Sequence, residues 1–181
     1  MSTAGKILPH YTYDDYCQWE GHWEVLEGIP YAMSPVPGPR HQFISGNIFR
    51  EFSLSLKTSN CSCKSYMPLD YVVKDDTIVQ PDFLVVCKEI NKKFLDFTPS
   101  LVAEILSPAT SLKDRNNKFN IYESQKIPYY LIVDIDTKDA EIYHLKENGK
   151  YTVEIFSPES PYTFQLDSDC SINVILNNIW E

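Results

Sequence analysis

Residues 77–87 read TIVQPDFLVVC and residues 101–118 read LVAEILSPATSLKDRNNK. Each stretch holds an apolar run with a single carboxylate: Asp82 stands at the head of Phe83 to Cys87, and Glu104 stands inside Leu101 to Ile105. β-branched and aliphatic residues fill both faces of both runs, which predicts two buried strands lying side by side. An ionised carboxylate in such a strand loses its water, at a cost of roughly several kcal/mol, unless it is paired or bound to a cation. Two converging carboxylates are the smallest cradle for a hard divalent ion such as Mg2+, which takes oxygen ligands and keeps several waters. Lys118 follows one helix further on.

Outward from this centre the chain reads as alternating short elements. Residues 11–20, YTYDDYCQWE, form a short helix candidate with Thr12 as its cap. His22 to Leu26 and Ile29 to Met33 read as a hairpin turning at Glu27-Gly28. A proline-rich bend at 35–39 delivers the chain into a helix from Arg40 to about Lys57, whose Ile44, Ile48, Phe52 and Leu56 recur every four positions. Ser62 to Met67 and Tyr71 to Val73 are weaker strand candidates. After Ser107 to Thr110, Ser111 and Asp114 resemble a capping box opening a helix to about Gln125, on which Arg115, Lys118 and Tyr122 share a face. Phe119 and Tyr122 read as core contacts. Tyr129 to Ile135 is a strand, and Ala140 to Leu145, Tyr151 to Phe156 and Tyr162 to Leu166 continue it antiparallel. The expectation is one α/β domain over residues 1–181: a mixed β-sheet flanked by helices, with an antiparallel C-terminal strand extension.

Composition narrows the function classes. A chain of 181 residues with 43% hydrophobic content, 12 Tyr, 9 Phe and 3 Trp is long and apolar enough to bury a core, which argues against disorder. No run approaches a membrane span and no signal-peptide core opens the chain, so a cytoplasmic location is expected. Five scattered cysteines, Cys17, Cys61, Cys63, Cys87 and Cys170, suggest reduced thiols rather than a disulfide framework, and Cys61-Ser62-Cys63 alone is too short for a zinc knuckle. The net charge of −9 opposes nucleic-acid binding, since Lys and Arg contacts to phosphate supply most of that affinity. The charge is uneven, however. Lys88, Lys92, Lys93, Lys113, Arg115 and Lys118 lie in or beside the central stretch, while Asp134, Asp136, Asp139, Glu141, Glu154, Glu159, Asp167 and Asp169 lie beyond it.

Two carboxylates and a lysine are the residue types of metal-assisted phosphodiester hydrolysis: carboxylates hold the cation, the cation polarises phosphate and acidifies its water, and an ammonium balances developing charge. Pro81-Asp82 before an apolar strand, with Glu104 on the next, resembles the PD-(D/E)xK superfamily and its restriction-endonuclease-like fold. HWEVLEGIPYAMSP, PRHQ, QPDFLVV, LVAEILSPAT, RNNKFNIYE and IPYYLIVD, spread over residues 20–145, stand in the order of the Uma-type "putative restriction endonuclease" family. The superfamily lysine should stand two residues after Glu104, where this chain has Leu106; the resemblance moves that role to Lys118. It also marks Glu24 as a further acid of the metal site. The resemblance thus implies a Mg2+- or Mn2+-dependent nuclease acting on nucleic acid, DNA first, with Asp82 and Glu104 as metal ligands and Asp82, Glu104, Lys118 and Glu24 as catalytic residues. Enzymes of this kind often act as homodimers, although no dimer face is visible in the sequence.

Blander readings stand beside these. Asp82 can open a turn, Glu104 can pair with Arg115 or Lys118, and a helical lysine is usually solvated. His41 beside Gln42 can bind phosphate or carry a proton, but a lone histidine at a helix start reads first as a cap or packing residue, and Asp134 and Asp136 read as turn residues. A non-catalytic nuclease-fold module that binds nucleic acid or protein is the alternative function, favoured by the acidic charge. A two-metal phosphohydrolase is disfavoured because His10, His22, His41 and His144 show no ligand spacing.

Overall fold

The computed structural model describes residues 9–33, 37–107 and 113–181. The short helix α1 spans Tyr13–Tyr16, and Asp15 accepts a hydrogen bond from the Thr12 N–H at 2.9 Å. Strands β1 (Trp23–Leu26) and β2 (Ile29–Ala32) form the expected hairpin. Its turn residues Glu27 and Gly28 both adopt positive φ, 52° and 81°, and a Cβ at Gly28 would collide with the His10 ring. Helix α2 spans Pro39–Thr58 and turns Ile44, Ile48, Phe52 and Leu56 inward.

Strands β3 (Lys64–Tyr66), β4 (Tyr71–Lys74), β5 (Thr77–Val79), β6 (Phe83–Val86) and β7 (Leu101–Leu106) follow. A π-helical segment, Lys113–Lys118, then runs into α3 (Phe119–Ser124). Strands β8 (Tyr129–Asp134), β9 (Asp139–Leu145), β10 (Tyr151–Val153), β11 (Tyr162–Asp167) and β12 (Cys170–Val174) complete the sheets, and a 3-10 turn at Leu176–Trp180 ends the described chain. The central six-stranded sheet has the order β10-β9-β8-β7-β6-β3; β7 and β8 are parallel and the other neighbours antiparallel. A four-stranded sheet has the order β2-β1-β5-β4, and β11 and β12 form a separate hairpin.

Alternation along the central strands divides the core in two. Phe83, Val85, Leu101, Ala103, Ile105, Leu131 and Val133 face α2 and the β11–β12 hairpin, meeting Phe52, Phe164 and Ile172. Leu84, Val86, Val102, Leu106, Tyr130 and Ile132 face the other way, towards Tyr122 of α3 and Leu26, Tyr71 and Val79 of the four-stranded sheet. Glu104 shares the parity of Val102 and Leu106, so its carboxylate enters this second face. No helix among the described residues is long and apolar enough to cross a membrane.

Three expectations need correction. The helix beyond Ser107 is not regular. Its proposed cap Ser111 lies outside the described residues, and Lys113–Lys118 is wound with an extra residue per turn. The inward face carries Asp114, Lys118 and Tyr122, all buried, whereas Arg115 turns out to pair with Glu141 at 2.6 Å. The cysteines are not separate thiols: Cys61 is bonded to Cys170 and Cys63 to Cys87, while Cys17 is exposed and unpaired. The β3–β6 register sets Cys63 across from Cys87, a proximity that 24 residues of separation conceal.

Phe52 is fully buried, with ring centroids 5.1 Å from Phe83 and 5.3 Å from Phe164, so it joins α2, the sheet and the hairpin. Phe52→Ala is expected to cost about 3–5 kcal/mol in denaturant unfolding; a cost below about 1 kcal/mol would mean that α2 does not share this core.

Candidate active site

The site forms where the two larger sheets meet. Strand β5 belongs to the four-stranded sheet and β6 to the six-stranded one, and only Gln80-Pro81-Asp82 separates them. In the β6–β7 register Phe83 pairs with Ala103 and Leu84 with Val102. One step further along that register sets Asp82 opposite Glu104. The two carboxylates therefore converge because adjacent antiparallel strands are paired in this register.

Asp82 Oδ2 accepts from the Ile105 N–H at 2.8 Å and lies 3.4 Å from His41 Nε2. Glu104 Oε1 accepts from the Tyr122 hydroxyl at 2.6 Å and from Lys118 Nζ at 2.8 Å. The same ammonium lies 2.8 Å from Glu24 Oε1, 3.7 Å from Asp114 Oδ1 and 3.4 Å from the Gln80 carbonyl oxygen. Glu24, on β1, also accepts from the Gln80 N–H at 2.8 Å and from the Lys113 ammonium. Tyr130 anchors the π-helical segment by donating to the Asp114 carbonyl oxygen at 3.0 Å.

Burial grades the site from closed to open. Lys118 and Glu104 are 1% and 2% exposed and Glu24 is fully buried, whereas the side chains of His41, Asp82 and Lys113 are 15%, 17% and 15% exposed. Burial pushes the Glu104 carboxyl well above its usual range, and the neighbouring acids add to that push against the opposing pull of Lys118. Burial opposes charge on Lys118, but Glu104, Glu24, Asp114 and Asp82 prevail and hold it firmly protonated. Burial likewise opposes charge on Glu24, and there Lys118 and Lys113 win, holding its carboxyl low.

Of the four residues singled out from the sequence, Glu104, Lys118 and Glu24 share one ion-pair network, and Asp82 stands opposite Glu104 across the strands, held by the Ile105 N–H and His41. Sequence reasoning missed Tyr122, read as core, and Asp114, read as a cap partner. The i, i+4, i+8 spacing of Asp114, Lys118 and Tyr122 was the available signal. His41, read as a cap or packing residue, instead faces Asp82. Asp134 is the turn residue expected, accepting from the N–H groups of Asp136 and Thr137 at 2.9 and 3.2 Å.

The donor set suits a hard divalent cation. Asp82, Glu104, Glu24 and Asp114 bring four carboxylates against the ammoniums of Lys118 and Lys113, an excess of two negative charges if all ionise. A proton on Glu104 or an external cation relieves that excess. No three of these carboxylates approach within mutual ligand distance. Asp82 and Glu104 stand opposite one another across the strands, two oxygen donors of the type that such a cation takes.

The sequence profile of the Uma2 family, described as "Putative restriction endonuclease", matches residues 12–168. This chain belongs to the Uma2 family. It is 28% identical over 153 residues to "Uncharacterized protein slr1290" of Synechocystis sp. (strain ATCC 27184 / PCC 6803 / Kazusa), covering 81% of this chain and 80% of that one. A crystal structure described as a putative nuclease belonging to DUF820, from Anabaena variabilis ATCC 29413, superposes with a TM-score of 0.72 at 16% identity, over 93% of this chain and 97% of that one. That likeness shows a shared nuclease-type fold for this Uma2 protein.

Two outcomes test the electrostatics. Lys118→Met keeps length but leaves Glu24 and Glu104 without their shared ammonium, and it should cost about 3–5 kcal/mol in denaturant unfolding. Adding Glu104→Gln should restore part of that loss, and a cost below about 1 kcal/mol would show the pairing to be energetically idle. For His41, burial works against its charge, but the Asp82 carboxylate raises its pKa above the ordinary 6.5. A raised folded-state pKa means that its stabilisation is complete below the unfolded value and fades as pH rises through the folded one. In metal-free protein, Tm should therefore fall further between pH 6 and pH 8 (values of roughly this order bracket the His range) for the wild type than for His41→Asn; equal slopes would refute the contact.

Proposed function

We propose that this chain is a Mg2+- or Mn2+-dependent endonuclease that hydrolyses phosphodiester bonds, with DNA as the first substrate class. The observation that supports this most is the register setting Asp82 opposite Glu104 at a partly open edge, with Lys118 and Glu24 directly behind. Asp82 and Glu104 would hold the cation. Once bound, it polarises a phosphoryl oxygen and lowers the pKa of an attacking water. The chain's own groups do the rest. The Ile105 N–H fixes Asp82 through the backbone of the neighbouring strand, and Tyr122 and Lys118 fix the Glu104 carboxylate. Lys118 also places fixed positive charge behind the site, where negative charge grows on the phosphate in the transition state. Glu24 keeps Lys118 in place and draws in Lys113, whose partly exposed ammonium is positioned to meet a phosphate. Two copies acting together would cut both strands of a duplex.

The second reading, a module that binds nucleic acid or protein without cutting, draws on the same geometry: both oxygens of Glu24 are engaged by lysines, and the net charge of −9 disfavours DNA. One experiment separates the two. Mn2+ is titrated calorimetrically into the wild type and into an Asp82→Asn, Glu104→Gln double variant, and each protein is then incubated with supercoiled plasmid and Mg2+. The nuclease reading expects saturable binding and nicking in the wild type, with both lost in the variant. Nicking that survives in the variant, or neither binding nor nicking in the wild type, rejects it, and the second result leaves the binding module. Lys118→Met, acting through Glu104, is expected to weaken metal binding by about 10–100-fold rather than abolish it.

A further inference from the structure

Four of the five cysteines converge on one point from three distant segments. Cys61 and Cys63 follow the C-terminus of α2, Cys87 follows the last residue of β6, and Cys170 opens β12. They are joined as Cys61–Cys170 and Cys63–Cys87, yet the sulphurs of both bonds crowd together: the Sγ atoms of Cys63, Cys87 and Cys170 all lie within 4.8 Å of one another. Two independent disulfides have no reason to touch. Three sulphurs stand within that distance, and the fourth, Cys61, is bonded to one of them; once reduced, the four are the donor set of a tetrahedral thiolate site, with metal–sulphur bonds of about 2.3 Å and hence sulphur–sulphur edges of about 3.8 Å.

The surroundings favour thiolates. Cys63 and Cys170 are 5% and 3% exposed, whereas Cys61 and Cys87 are half-buried, so the cluster is sheltered but reachable. Cys61 and Cys63 line an open cavity of about 400 Å³ together with Lys57 and Lys64, so solvent and ions can reach them. The Ser100 hydroxyl lies 3.3 Å from Cys87 Sγ and donates to it. Ser100 is itself held by its N–H bond to the Val85 carbonyl oxygen at 2.8 Å, so this outer contact is fixed by the sheet.

We propose that, with these sulphurs reduced, Cys61, Cys63, Cys87 and Cys170 bind one thiophilic divalent cation, Zn2+. Two equivalents of a dithiol reductant convert the two disulfides into four thiols and are themselves oxidised to two disulfides. The thiols release their protons as the ion binds. The metal then ties the end of α2 and the end of β6 to the β11–β12 hairpin, as the disulfides do under oxidising conditions. This site is separate from the carboxylates. Cys87 lies five residues from Asp82 at the opposite end of β6, about 16 Å along a strand, and soft thiolates reject the hard ions that carboxylates prefer.

The full chain, reduced with a phosphine and kept free of oxygen, is titrated with Co2+ and then Zn2+. One Co2+ per chain should bind, giving the intense visible bands of a tetrahedral site and near-ultraviolet sulphur-to-cobalt charge transfer, and one equivalent of Zn2+ should bleach both. The signal should persist in Cys17→Ser and in the Asp82→Asn, Glu104→Gln variant, where the carboxylate site is lost. It should vanish in Cys63→Ser, Cys170→Ser, and also in oxidised wild type, whose fold is not in question. No thiolate band in reduced wild type, or a band that survives in Cys63→Ser, Cys170→Ser, overturns the proposal.

Discussion

The buried ammonium of Lys118 is the contact on which the centre of this structure depends. It lies 2.8 Å from both Glu104 and Glu24, which come from different sheets. Removing such ions from water costs several kcal/mol apiece on the order of magnitude that buried pairs show, and hydrophobic packing of the same volume would usually be at least as stable. The network is therefore poorly explained as a stabilising device alone. It holds two carboxylates at fixed positions next to a third, Asp82, which remains partly exposed. The interior carries the charge compensation and the edge carries the opening, an arrangement suited to receiving a charged ligand from one side.

Backbone geometry makes this possible at three places. Gln80-Pro81-Asp82 passes the chain from one sheet to the other, and proline at its centre has no N–H to satisfy. The Gln80 N–H goes to Glu24 and the Gln80 carbonyl oxygen faces Lys118, so the crossover backbone is part of the network. The antiparallel register of β6 and β7 then places Asp82 against Glu104. The wide winding of Lys113–Lys118 points Asp114 and Lys118 inward ahead of Tyr122, while Arg115 is released to Glu141 at the surface. π-helical turns concentrate at functional sites because they spend regular hydrogen bonding to re-aim a few side chains.

Much of this was readable beforehand, and the reasons for what was not are physical. Buried strands announce themselves by filling both faces, so β6, β7 and β8 and their misplaced carboxylates stood out; the four-residue period of α2 did as well. The three residues of β5 were hidden because only three residues separate Thr77–Val79 from β6, so two sheets divide within one short stretch. β12 shows a clean alternation, Cys170, Ile172 and Val174 inward, but over only five residues. The inward role of Tyr122 could not be told from an ordinary aromatic core residue, since its ring does pack with Tyr130 at 5.0 Å and only its hydroxyl marks the site. The cysteine pairs, separated by 24 and 109 residues, depend on tertiary proximity that no local pattern encodes.

An ammonium carried by the helical segment, with leucine at strand position 106, has a structural rationale. Position 106 has the parity of Glu104, and Leu106 there is 4% exposed, packed in the apolar cluster that contains Tyr122, Tyr130 and Ile132. A strand lysine at that position would have to thread its ammonium back past these rings to reach Glu104. A lysine on the following segment approaches from above the sheet, and its four-carbon stem lets the charge reach Glu104 and Glu24 together. From position 106 the tie to Glu24 would require spanning the second core face. A lysine at position 118 therefore leaves the strand free to complete the core and makes the two glutamates, one from each sheet, share a single counter-ion.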